Sequence, residues 1–243
     1  MYTSNHPMAG FQSGMGEFAS QEAFAQARLT FIQRTYVHVA GALTAFALLL
    51  ALLVKAVPGE TMVKFFVTVP GGWLVVLLAF IAGTFLARRL AAPDMSKAIQ
   101  YAGLGIYVVL EALIFWPIMW YLDKQGEHAM ILQAALMTLA LAGGLTIGVF
   151  TTRKDFSFLG PIVGTGCLVA LALIVCAILF GLNLGTWFAL GMIALMCACI
   201  LYETSQIMLH WDTEGYVAAA LELFASIVTL FWYILRLYMS SRD

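Results

Sequence analysis

Charge is scarce in this chain. Of 243 residues, 12 are Lys or Arg and 13 are Asp or Glu, so charged side chains make up 10% of the sequence. A soluble domain of this length would carry about 25%. From Phe156 to Tyr202 no Asp, Glu, Lys or Arg occurs at all. A membrane crossing needs roughly 20 apolar residues at about 1.5 Å rise each. The run is therefore long enough for two crossings, and Gly181-Leu182-Asn183-Leu184-Gly185 breaks it near the middle. The formal net charge of -1 offers no electrostatic footprint for nucleic acid. Cysteine is limited to Cys167, Cys176, Cys197 and Cys199, all inside apolar runs with no histidine nearby, which argues against a zinc site. No nucleophile triad, phosphate loop or metal-binding histidine pair occurs, so no catalytic residue, metal or cofactor is expected.

What fills the chain instead is apolar. It is 63% hydrophobic, with a mean hydropathy of +0.94. The runs are continuous and do not alternate every second residue, which favours helices over a membrane β-barrel. The sequence thus predicts an all-α polytopic membrane protein with the lipid bilayer as its solvent. Met1 to Ala27 has no short apolar core behind a basic start, so no cleaved signal peptide is expected. This Gly/Ser/Gln/Met-rich stretch, residues 1–27, reads as a mobile tail, and residues 28–243 as the transmembrane domain.

Seven spans are expected: Thr35 to Val54, Gly71 to Ala87, Ala98 to Leu122, Ala129 to Thr151, Gly160 to Leu182, Thr186 to Leu209 and Val217 to Tyr238. Pro70-Gly71-Gly72 opens the second, and Met239-Ser240-Ser241-Arg242-Asp243 forms a short tail after the seventh. Basic residues near span ends give the orientation. One side holds Arg28, Arg34, Arg88, Arg89, Lys97, Arg153 and Lys154; the other holds Lys55, Lys64 and Lys124, joined by Arg236 and Arg242 if the last span crosses fully. The bias places the N-terminus in the cytoplasm. Gly41 and Gly143-Gly144 are expected to permit close helix contact, Pro117 to kink the third span or unwind its end, and His38 to pack by hydrogen bonding.

Ionisable groups inside the bilayer are costly and face protein or water. Glu111 lies deep in the third span, Glu203 near the end of the sixth, and Glu222 and Arg236 at either end of the seventh. In the seventh span Glu222, Ser226, Thr229, Tyr233 and Arg236 step by four, three, four and three, and so share one helix face. That polar seam is expected to face the other helices. Its two readings are an interhelical hydrogen-bond seam and a hydrated path or proton-responsive switch.

Several segments resemble the Bax inhibitor-1 family, in particular its bacterial YccA branch. They are Leu201-Tyr202-Glu203-Thr204-Ser205-Gln206-Ile207, Glu214-Gly215-Tyr216, Ser240-Ser241-Arg242-Asp243, the loop from Thr151 to Gly160, and Leu110-Glu111-Ala112-Leu113 followed by Pro117-Ile118. The resemblance runs from about Arg28 to the end. It implies a seven-transmembrane-helix bundle with the last helix central, in the bacterial inner membrane. It also implies two activities. One is binding to the membrane-anchored AAA protease FtsH, with the N-terminal tail as a handle. The other is a pH-sensitive leak of calcium or protons gated by paired aspartates on the sixth and seventh helices, with calcium as permeant ion and no bound cofactor. By the resemblance, the first aspartate falls on Glu203 and the second on Ser226, so one acid is kept and one lost. Glu222 or Glu111 is a candidate replacement. The loss favours the protease-modulator reading over the leak.

Overall fold

The computed structural model describes the backbone of residues 7–60, 68 and 72–241, and among these the side chains of 21–60, 68 and 74–241. Lys64, Pro70, Gly71, Arg242 and Asp243, which entered the sequence reading, lie outside the described residues. The described backbone forms seven helices: α1 (Pro7–Ala56), α2 (Gly72–Leu90), α3 (Lys97–Lys124), α4 (His128–Thr152), α5 (Leu159–Phe180), α6 (Gly185–Leu209) and α7 (Tyr216–Ser240). Each expected span coincides with one of them. Six, all but α2, are long and apolar enough to cross a membrane among the described residues. The backbone is already helical at Pro7, so the segment read as a tail runs on into the first span as one 50-residue helix.

The helix ends follow local chemistry. α1 stops at Ala56, two residues before Pro58, where a proline restricts the residue ahead of it and supplies no N–H. α4 ends on Arg153, which takes the left-handed conformation at φ 51° and returns its N–H to the Val149 carbonyl at 2.8 Å. The break in the long uncharged run is made by two glycines with positive φ, Gly181 at 67° and Gly185 at 63°, which turn the chain between α5 and α6. α3 continues through Pro117 to Lys124.

α7 packs against α6, α1, α4 and α3, while α5 packs chiefly on α6. Burial follows this arrangement: 78% of the apolar window of α7 is buried, against 6% of that of α5. Phe224 on α7 is fully enclosed, edge-on to Phe46 of α1 and Tyr107 of α3. Phe115 of α3 meets Phe46 at 5.3 Å, stacks on Phe231 at 5.7 Å and meets Trp232 edge-on at 5.0 Å. Such pairs contribute about 0.5–1.5 kcal/mol each beyond their buried area. The outer wall is the reverse of a soluble surface. Phe85, Leu168, Phe180 and Trp187 are all largely exposed, a surface suited to lipid.

The glycine expectation needs correction. A Cβ at Gly41, Gly143 or Gly144 would meet nothing within 4 Å, so these positions mark no close contact. The close approach falls on Gly103 of α3, where a Cβ would stand 2.6 Å from the Ala91 nitrogen and 2.7 Å from the Ala87 carbonyl oxygen. It lies where α3 crosses the end of α2. Sequence spacing shows which glycines lie in helices, not which face a neighbour.

Candidate functional site

α6 and α7 run antiparallel, and their facing sides bring two of the expected residues together. The Ser226 hydroxyl donates to Glu203 Oε1 at 2.7 Å. Glu203 Oε2 is sealed from solvent and has no hydrogen-bond partner. Its neighbours Thr204 and Ser205 are fully buried. Cys199, one turn earlier on α6, is also buried. Across the bundle the Tyr36 hydroxyl of α1 reaches Thr204 Oγ1 at 3.5 Å.

One turn from Ser226, Glu222 forms an ion pair with Arg88 of α2. The Arg88 guanidinium also lies over the Tyr107 ring, 5.8 Å from its centre. Glu222 and Arg88 both act electrostatically on Glu203. Glu222 is therefore near Glu203, but it is engaged by a cation. Glu111 on α3 is buried and faces Tyr107. With Thr229, Tyr233, Trp232 and Phe115 it lines a cavity of about 210 Å³ between α2, α3 and α7. A second cavity of about 250 Å³, lined by Arg236, Trp232, Tyr233, Leu184 and Ile178, lies on the other side of the same two aromatic residues.

The five seam residues therefore divide among different partners. Ser226 meets α6, Glu222 meets α2, and Tyr233 contacts Phe188 of α6 at 5.9 Å between ring centres. The Thr229 hydroxyl bonds back to the Ala225 carbonyl at 2.8 Å and makes no interhelical hydrogen bond. Arg236 borders the second cavity. Glu111 and Glu203 are held apart on different helices with different neighbours.

Sequence reasoning missed Arg88 and Tyr107 as members of this group. Arg88 entered only as a charge for orientation. Its position directly after the expected end of the second span was the available signal, but its partner on α7 could not be read locally. A second omission is the lock between the α4–α5 loop and the end of α6. Asp155 Oδ1 accepts from the Ser157 backbone N–H at 2.8 Å and the Ser157 hydroxyl at 2.5 Å, and Oδ2 lies 3.1 Å from His210 Nε2. The Phe156 N–H donates to Ser205 Oγ at 2.9 Å, and Gln206 Nε2 donates to Ser157 Oγ at 2.8 Å. The hydrogen bonds from Ser157, followed by that of His210, hold the Asp155 carboxyl down at about 2. The same end is tied elsewhere by Arg28 donating to the Trp211 carbonyl and by Lys97 against Glu214 at 3.3 Å. His38 bonds to the Arg34 carbonyl at 2.6 Å and stacks on Tyr101 at 5.5 Å, a packing arrangement as expected.

Together these features define a helical membrane protein in which acids on its apolar helices meet hydroxyls inside the bundle and a guanidinium at its edge. Comparison with known proteins gives the particular family. Residues 28–243 match the family described as Inhibitor of apoptosis-promoting Bax1. The chain is 31% identical over 168 residues to protein PA2604 of Pseudomonas aeruginosa, covering 68% of this chain and 72% of that protein. It is 24% identical over 242 residues to Protein LIFEGUARD 2 of Arabidopsis thaliana, covering 98% of both. It is 33% identical over 112 residues to Protein lifeguard 4 of Mus musculus, covering 44% of this chain and 45% of that one. The chain belongs to the Bax inhibitor-1 family.

Proposed function

We propose that this protein is a proton-responsive leak for calcium ions or protons in a bacterial inner membrane, with its N-terminus in the cytoplasm, α7 as its central pillar and Glu203 as the group that takes up the proton. The observation that carries this reading is the Ser226–Glu203 hydrogen bond beside a sealed, unpartnered Glu203 Oε2. An ionised carboxylate held there accepts one hydrogen bond and leaves its other oxygen unsolvated, which costs several kcal/mol. A proton removes that cost, and its departure rewards any rearrangement that brings water or a cation to the oxygen. Arg88 is a cation that acts on Glu203 from its ion pair with Glu222. Deprotonation thus favours movement of α2 and α6 relative to α7, the kind of two-state element a switch requires. The cavities on either side of Trp232 and Tyr233 would supply hydrated volume towards the opposite end. Purified full-length protein in liposomes tests the reading through calcium and proton flux across a pH series. Flux that rises or falls with pH supports it, and flux equal to that of empty liposomes at every pH overturns it.

A second reading is supported by a different part of the chain. A 50-residue helix is about 75 Å long at 1.5 Å per residue, against roughly 30 Å for the hydrocarbon core. The excess gives α1 a reach beyond the bilayer suited to an interaction with the FtsH protease. Co-purification from native membranes, with and without residues 1–27, tests it. Absence of FtsH under mild detergent in both cases counts against the partnership.

A further inference from the structure

α1 and α4 both pack against α7 but scarcely touch one another. Between them lies a cleft of about 370 Å³, floored by Met119 of α3 and by Ile227, Val228 and Phe231 of α7. This volume is in the range of small-molecule sites, roughly 300–1,000 Å³. The interior offers no polar group to a ligand, since the Thr138 hydroxyl is spent on the Ala134 carbonyl at 2.7 Å. Beyond one end of the cleft Tyr36 of α1 meets Phe150 of α4 edge-on at 5.7 Å between ring centres. At the other end Lys55 and Asp123 stand in the lining without pairing with each other. Asp123 faces His128 at 3.7 Å, too far for a hydrogen bond. Trp120 beneath the Lys124 ammonium, and Trp116 donating to the Val57 carbonyl at 3.2 Å, set this mouth at the depth where aromatic side chains meet headgroups.

We propose that this cleft binds one phospholipid with a primary-amine headgroup, an acyl chain lying between α1 and α4. Charge complementarity selects the occupant. The Lys55 ammonium, with three donors, meets the lipid phosphate, and the Asp123 carboxylate accepts from the lipid amine. A choline headgroup has the same charges but no N–H for Asp123. An anionic glycerol headgroup leaves Asp123 without a cation. The interior excludes polar ligands, and the lateral opening between two helices admits a chain directly from the bilayer.

The test is native mass spectrometry of the full-length protein released from nanodiscs holding equal parts of ethanolamine, choline and glycerol phospholipids with identical chains. One retained ethanolamine phospholipid is the expected result. Lys55→Gln and Asp123→Asn each lower its retention about tenfold, the loss of one charge-assisted hydrogen bond. Lys55 is exposed, so its replacement leaves folding intact. Ala135→Phe fills the cleft and abolishes retention, with its thermal melt recorded alongside. Equal retention of the three headgroups, preference for the glycerol lipid, or full retention in Lys55→Gln overturns the proposal.

Discussion

Ser226 on α7 gives its hydroxyl hydrogen to Glu203 on α6 at 2.7 Å, at the position where the family resemblance places a second acid. Where the resemblance implies two carboxylates, the structure has a carboxylate and a donor. Interhelical hydrogen bonds in membranes average about 0.6 kcal/mol, with a maximum near 1.7. Ser226→Ala should therefore lower the thermal midpoint in detergent by a few degrees at most. A proton-dependent readout should respond far more. Ser226→Asp restores like-charge repulsion at close range, and the pH midpoint of flux should move up by a unit or more.

Arg88 and Glu222 form the second contact across α7. Their side chains are 41% and 35% exposed, so screening limits the pair to about 0.2–1 kcal/mol. A double-mutant cycle with Arg88→Gln and Glu222→Gln, read by thermal melts, should give a coupling in that range. In the flux assay Arg88→Gln alone should alter the pH profile, because a cation that acts on Glu203 has gone. An unchanged profile would separate Arg88 from the switch.

Two glycines make a packing prediction with opposite outcomes. Gly103→Ala drives a Cβ into the backbone of α2, and overpacking of this kind costs about 1–3 kcal/mol or more. Gly143→Ala meets open space and should be neutral or stabilising by up to about 1 kcal/mol through helix propensity. Thermal melts of the two variants side by side decide the matter.

The Asp155 lock should show in acid. A carboxyl held at about 2, below its usual value near 3.8, contributes stability that is present above the higher figure. That contribution disappears as pH falls through the lower one. Asp155→Asn should thus melt below the parent chain at pH 5 to 7, and the gap should close as pH drops from about 4 towards 2. A gap independent of pH would assign the effect to lost packing rather than to the charge.

The helices were largely legible in the sequence because the bilayer imposes length and apolarity on each one separately. Gly181 and Gly185 announced the turn inside the uncharged run, and the turn is there. Glu203 was found as an acid in an apolar helix and through the motif that carries it, and Ser226 through the spacing of the polar face of α7. Arg88, Tyr107 and His210 were not, because a hydrophobic pattern gives the face of a helix and not the helix it meets. The seam on α7 illustrates the limit. Its four-three-four-three spacing placed five polar residues on one face, but α2 and α6 take different members of that face and Thr229 bonds back within α7. Gly103 was missed for the same reason: its contact with Ala87 and Ala91 depends on how α3 crosses α2.

The most direct test is calcium and proton flux of the Glu203→Gln variant in liposomes, measured against the parent chain across pH 5 to 8. Glutamine keeps the shape and the hydrogen bond from Ser226 but cannot exchange a proton. The account predicts flux that no longer changes with pH in the variant, beside a pH-dependent parent. A variant whose flux follows the parent at every pH would contradict it.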